Sequence, residues 1–200
     1  MLSVPSDYSS RVGFRSHVRD EHQEYAGNTM RCARCAEVPI AGFIGRTVTI
    51  FQPSEKRFVN VRANGIVGRS EVSQDGSLRG WSWERFQAVD AGNRQLAFWN
   101  LRWRRFLRMD DQARMSASDE RPDGTLPADW NWERFRVVDV GDGLVGLWSP
   151  SHKRFVRLCC GNDPDTSEPR ADATMPSSWV WERLKIALLP GAPSPLRKLA

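Results

Sequence analysis

The chain has 200 residues, with 29 Lys and Arg against 24 Asp and Glu, for a formal net charge of +5. A composition of 40 % hydrophobic and 26 % charged residues is that of a globular chain and excludes a largely disordered one. No apolar run approaches the roughly 20 residues that span a bilayer as a helix, the 4 cysteines are too few for a disulfide scaffold, and the dispersed positive excess admits an acidic partner without identifying one.

Residues 1–45 contain no tryptophan and match no other part of the chain. They are expected to form an arm, partly disordered or packed across the domain that follows. Arg11, Arg15 and Arg19 precede any long apolar stretch, which argues against a secretory leader; Asp20, Glu21 and Glu24 argue against an organelle-targeting one. The arm carries His17, His22, Cys32 and Cys35 in the order His-x4-His-x9-Cys-x2-Cys. Tetrahedral zinc takes four such ligands, but the spacing is not that of a common finger, so no metal is assigned. A redox Cys-x-x-Cys needs a βαβ context that the sequence lacks.

From residue 46 onward the sequence repeats itself. Trp81-Ser82-Trp83-Glu84-Arg85-Phe86 recurs as Trp130-Asn131-Trp132-Glu133-Arg134-Phe135 and as Trp179-Val180-Trp181-Glu182-Arg183-Leu184. In phase with it, Lys56-Arg57-Phe58-Val59 recurs as Arg104-Arg105-Phe106-Leu107 and Lys153-Arg154-Phe155-Val156. Two rare motifs held in phase define three repeats, 46–92, 93–141 and 142–190, which together hold all 9 tryptophans.

Each repeat reads as four short strands. The first contains Val48, Ile50 and Phe51, or Leu96, Phe98 and Trp99, or Val145, Leu147 and Trp148. The second follows the basic-Arg-Phe motif. A third contains Arg69-Ser70, Met115-Ser116 or Arg170-Ala171, and the last begins at Phe86, Phe135 or Leu184. Turn residues separate them at Asn64-Gly65, Asp110-Asp111 and Gly161-Asn162, and no segment keeps a helical period. Twelve strands in three copies predict an all-β chain folded as a β-trefoil: six strands close a barrel, three hairpins cap it, and closure removes exposed sheet edges. A propeller needs more blades than three, and a solenoid needs capping repeats. Residues 191–200 read as a flexible basic tail.

An apolar residue, a polar turn, basic-Phe-Val/Leu, and later Trp-Glu-x-Phe resembles the fascin-like β-trefoil over residues 46–190, with Trp-Glu-Arg-Phe as the most specific element. The resemblance implies the trefoil fold and non-catalytic binding. Some relatives bundle actin filaments and others are attached to carbohydrate-active enzymes. Fascin strings several trefoils together; one trefoil supports binding more readily than cross-linking. The ricin-type lectin trefoil fits less well, because its Gln-x-Trp signature and paired cysteines are missing.

Trp83, Trp132 and Trp181 match the family's core tryptophan and are expected inside, with Phe58, Phe106 and Phe155. Trp81, Trp130 and Trp179 lie where the chain bends into a strand. Phe51, Trp99 and Trp148 follow a core position by one residue, so alternation points them outward. These outward aromatics either cover hairpin bases or form platforms on which sugar rings stack. Glu84, Glu133 and Glu182 recur beside Arg85, Arg134 and Arg183, and with Arg57, Arg105 and Arg154 they are expected to form structural ion pairs. Residues that come in threes with like surroundings do not suggest one catalytic site, so no enzyme and no cofactor is expected.

Arg102, Trp103, Arg104 and Arg105, with Arg108, interleave positive charge and an aromatic ring. The favoured reading is a protein-interaction module whose basic, aromatic face meets an acidic surface such as an actin filament. The alternative is a glycan-binding module that uses Trp81, Trp99, Trp130, Trp148 and Trp179. Single-stranded nucleic acid also binds such patches but is not favoured, since arginine is abundant throughout the chain. Vicinal Cys159 and Cys160 should place one thiol in the core and one in solvent, and free thiols suit a reducing, cytoplasmic setting.

Overall fold

Short runs of β-branched and aromatic residues form the strands, and positive-φ turn residues separate them. The structure, a computed structural model, describes residues 38–78, 80, 82–160 and 163–190. His17, His22, Cys32, Cys35, Trp81, the Gly161-Asn162 turn and the tail lie outside the described residues. Twelve strands are described: β1 (Thr47–Gln52), β2 (Arg57–Val61), β3 (Val67–Arg69), β4 (Phe86–Asp90), β5 (Gln95–Asn100), β6 (Arg105–Met109), β7 (Met115–Glu120), β8 (Phe135–Asp139), β9 (Val145–Ser149), β10 (Arg154–Arg157), β11 (Asp165–Thr166) and β12 (Lys185–Leu188). Among the described residues ahead of β1 there is one 3₁₀ turn, Ile40–Gly42. Among the described residues no helix is long and apolar enough to cross a membrane.

Six of the strands run round a ring. β1 pairs with β4, β4 with β5, β5 with β8, β8 with β9, and β12 with β1, all antiparallel. An isolated bridge between Val145 and Leu184, one residue ahead of β12, joins β9 to the last strand. The pairing of the first strand with the last is equivalent within each repeat: Val48 faces Phe86, Leu96 faces Phe135, and Val145 faces Leu184. The chain is therefore a β-trefoil, with the three copies related by the expected threefold pattern.

Alternation inside the ring directs Val48 and Ile50, Leu96 and Phe98, and Val145 and Leu147 into one core, where they meet Phe86, Phe135 and Leu184. The β2–β3, β6–β7 and β10–β11 hairpins cap it with Val59, Leu107, Met109, Val156 and Leu158. The caps are tied to one another: Ala117 N–H donates to Gly65 C=O at 3.1 Å, and the Thr166 hydroxyl donates to Ala113 C=O at 2.8 Å.

A serine fixes the base of each hairpin. The hydroxyls of Ser70, Ser118 and Ser167 accept the N–H of Phe58, Phe106 and Phe155 at 2.9, 2.9 and 3.0 Å. The serine carbonyls accept Arg57, Arg105 and Arg154 at 2.5, 2.7 and 2.5 Å. Just before each of these arginines, Lys56, Arg104 and Lys153 all take φ of 54°. A left-handed conformation at a residue with a Cβ is unfavourable by about 1–2 kcal/mol, so its recurrence shows that the turn imposes it.

The third strand of the last repeat lies earlier than expected. It is Asp165–Thr166, and Arg170-Ala171 is not in a strand. Two polar residues leave no apolar alternation to read; the strand is fixed by pairing with β10 and by Arg157, whose guanidinium meets Asp165 at 2.8 and 2.5 Å. Cys159 is buried and Cys160 exposed, both as free thiols. Burial pushes the Cys159 thiol up to about 12.

Candidate functional site

The Trp-Glu-Arg segments precede β4, β8 and β12, and each is stitched to the cap strand of its own repeat. Val61, Met109 and Leu158 donate their N–H groups to the carbonyls of Trp83, Trp132 and Trp181, each at 3.1 Å. That bond holds the backbone against the cap while the next residue turns under it. Glu84, Glu133 and Glu182 are consequently buried, and the preceding tryptophans are exposed: Trp83 by 44 %, Trp132 by 37 % and Trp181 by 41 %. The expectation that these three tryptophans lie in the core is overturned. The segment is a turn, not a strand, so the period-two rule does not apply to it.

Of the tryptophans expected outside, the described ones, Trp99, Trp130, Trp148 and Trp179, are covered. Trp99 does point away from the barrel interior, but it is only 8 % exposed. It joins Ala91, Ala97 and Phe106 in a second small core, with Leu126 and Trp130 packed against it. Its indole N–H donates to Arg121 C=O at 3.1 Å. Gly124, at φ +67°, lies so close to the ring that a Cβ there would sit 2.9 Å from it. Trp130 and Trp179 stand edge-on to Phe106 and Phe155, with the Arg121 and Arg170 guanidinium groups over their rings at 5.8 Å. Trp148 is partly buried, and its indole nitrogen is enclosed. Trp103 packs on the barrel core and against Trp83, with ring centroids 6.2 Å apart.

The expected Glu–Arg ion pairs give way to another use of arginine. Arg134 donates to the carbonyls of Trp130, Ala91, Pro127 and Ala128. Arg183 donates to Trp179, Val140 and Ser177. In repeats two and three the signature arginine is therefore a clamp on backbone carbonyls of loops and of the preceding repeat. A planar fork of donors suits that task.

The freed glutamates shape three like edges. In the first repeat, Asn60 Nδ2 donates to Glu84 Oε1 at 3.2 Å, while Asn60 Oδ1 and Glu84 Oε2 have no protein partner. Burial pushes all three carboxyls above the ordinary carboxylate value; Asn60 opposes this for Glu84, and backbone N–H groups oppose it for Glu133 and Glu182. A cavity of about 530 Å³ opens there, lined by Trp83, Glu84, Asn60, Arg62, Arg69 and neighbours. The corresponding cavity in the third repeat, beside Trp181, Glu182 and Arg157, is about 220 Å³. In the second repeat the Arg108 guanidinium lies over the Trp132 ring at 5.8 Å, and His152 packs on that ring at 6.0 Å.

Asn60, Glu84 and Glu182 were not expected to face a cavity. Their signal was the Trp-Glu pair itself, repeated with one hydrophobic and one ionisable member. The Arg102–Arg105 stretch forms a turn in which the Asn100 side-chain oxygen accepts the N–H groups of Arg102 and Trp103 at 3.2 and 2.9 Å. Arg102 and Arg104 are exposed, Arg105 is drawn into the hairpin base, and Arg102 lies over Trp103 at 5.2 Å. Among the described residues no cluster of three or more His, Cys, Asp or Glu could hold a metal.

No protein-family profile matches the chain, and no curated protein matches it by sequence. Solved structures do match. A designed threefold-symmetric protein, ThreeFoil, superposes with a TM-score of 0.52 at 12 % identity, over 72 % of this chain and 99 % of that one. A GlcNAcα1-4Gal-releasing endo-β-galactosidase from Clostridium perfringens gives 0.57 at 10 % identity, over 72 % of this chain and 33 % of the enzyme. An exo-β-1,3-galactanase from Clostridium thermocellum gives 0.54 at 12 % identity, over 72 % and 30 %. The chain thus spans about a third of each enzyme, and the likeness extends to the trefoil fold.

Proposed function

We propose that this trefoil is a non-catalytic glycan-binding module and that it uses the Trp-Glu edges of its repeats. The observation that carries the reading is the exposed indole beside a buried carboxyl, formed in all three copies by the same backbone bond. The C–H face of a pyranose ring packs on an indole face, and its hydroxyls donate to carboxylate and amide oxygens. A few placed polar groups beside an aromatic wall make a small-molecule site. Two of the matching folds belong to enzymes named for acting on galactose-containing glycans, which supports the same ligand class. A glycan microarray probed with the full chain is expected to give hits, and the variant Trp83→Ala/Trp132→Ala/Trp181→Ala to lose them. An array without hits removes the reading.

A second reading keeps the fascin-like protein-interaction role, with an acidic filament such as actin as partner. It is favoured by the exposed Arg102 and Arg104 beside Leu101, which is itself 37 % exposed. Arginine and apolar surface together suit a protein interface. Cosedimentation with actin filaments at low salt tests it, and a chain that stays in the supernatant rejects it.

A further inference from the structure

The three Trp-Glu edges are alike in backbone but not in the residue that faces them from the cap. The position two residues beyond the signature phenylalanine is Asn60 in the first repeat, Arg108 in the second and Arg157 in the third. Each of the two arginines occupies its edge. Arg108 lies over Trp132 and donates to the Ser116 hydroxyl at 3.2 Å; Arg157 is fixed in a bidentate pair with Asp165. Asn60 is shorter than either arginine, and it lines the 530 Å³ cavity. That volume lies within the roughly 300–1,000 Å³ usual for ligand sites, whereas 220 Å³ in the third repeat falls short of it.

We infer that the first-repeat cavity is the primary binding site of the module, and that it takes one neutral sugar ring that gives two adjacent hydroxyls to Glu84 Oε2 and Asn60 Oδ1 and lays its C–H face on Trp83. This rests on the glycan-binding reading. Both oxygens belong to side chains at least nine-tenths buried, and both lack a protein donor. An acceptor left in that state is unfavourable, and a ligand hydroxyl relieves it. Both oxygens are buried in the free chain, so lining side chains shift as the sugar enters, an adjustment common on binding. Arg62 is paired with Asp163 at 3.0 Å, and the lining holds both Arg69 and Glu71, so no single sign of charge dominates the mouth. A mouth of mixed charge suits a neutral ring.

The test uses the full chain labelled with ¹⁵N, whose indole N–H signals are assigned by single Trp→Phe variants. It is titrated with methyl β-D-galactopyranoside, methyl α-D-glucopyranoside and methyl α-D-mannopyranoside. With at least one of them the Trp83 signal is expected to move while the Trp132 and Trp181 signals stay in place. Asn60→Arg, which installs the residue of the other repeats, should abolish the shift. Glu84→Gln, which preserves shape, should weaken binding about tenfold or more. Circular dichroism of both variants reports whether they fold. Shifts of equal size at all three tryptophans, or binding unchanged in Glu84→Gln, overturn this inference and leave the glycan-binding reading standing. A chain that binds none of these sugars and gives no array hits overturns both.

Discussion

Leu184 and Val145 exchange two backbone hydrogen bonds, Val145 N–H to Leu184 C=O at 2.7 Å and Leu184 N–H to Val145 C=O at 2.8 Å. This is where the first and last strands of the third repeat meet, and it reproduces what Phe86 does with Val48 and Phe135 with Leu96. Leu184 is completely buried, whereas Leu188, at the far end of β12, is 44 % exposed. Leu184→Ala is expected to destabilise the chain by about 2–5 kcal/mol, and Leu188→Ala by less than about 0.5 kcal/mol. Urea titrations compare them; equal effects would contradict a core closed at Leu184.

Trp99 and Trp83 should behave as opposites. Trp99→Ala removes the centre of the small core outside the barrel wall and is expected to lose about 3–5 kcal/mol. Trp83→Ala is expected to change stability far less and to act on ligand binding. Gly124→Ala tests the same packing from the other side: a methyl 2.9 Å from the Trp99 ring, at φ +67°, must push the ring away. It should destabilise by about 1–3 kcal/mol. A Gly124→Ala chain as stable as the wild type would show that the loop does not press on the ring.

The hairpin serines offer a test of the repeat itself. Ser118→Ala leaves the buried Phe106 N–H without its acceptor and is expected to cost about 1–3 kcal/mol. Ser70→Ala and Ser167→Ala should fall in the same range, since each serine has the same two partners. Thermal melts of the three variants report this, and a single large value among two small ones would show that the bases of the hairpins are not equivalent.

Stability should vary with pH in a direction set by the three buried glutamates. Their folded values are raised above the ordinary 4.5 by burial. Within the window between 4.5 and the raised values, the folded chain therefore holds more protons than the unfolded one, and stability falls as pH rises through it. Acidifying from neutral pH toward 4.5 should stabilise the protein, and Glu84→Gln/Glu133→Gln/Glu182→Gln should flatten that rise. At lower pH the sense reverses. Asp75, held to about 2 by the Ser77 hydroxyl and N–H, and Asp123 and Asp172, held low by the N–H groups of Thr125 and Thr174, contribute stability that is lost as they protonate. Denaturant midpoints measured across this range would expose a profile without the reversal.

The sequence by itself determined the threefold repeat, the run of short strands and the inward set of Ile50, Phe98 and Leu147, because alternation inside a strand is a local property of the chain. It also marked Phe58, Phe106 and Phe155 as buried, but they pair with Phe51, Trp99 and Trp148, and Phe106 packs with Trp99 in the small core outside the barrel wall. It also placed one of the vicinal cysteines in the core. Only the tertiary structure decided which tryptophan of each Trp-x-Trp faces solvent, because a long-range bond from the cap strand orients that turn, and it covered Trp99 with a loop that closes from more than twenty residues away. The polar strand at Asp165 escaped notice for the same reason: its pairing with Arg157 is a contact across the hairpin. The candidate site follows from both. The Trp-Glu pair is written three times, and the 530 Å³ cavity lies where folding brings Asn60, rather than an arginine, against it, with 220 Å³ beside Arg157.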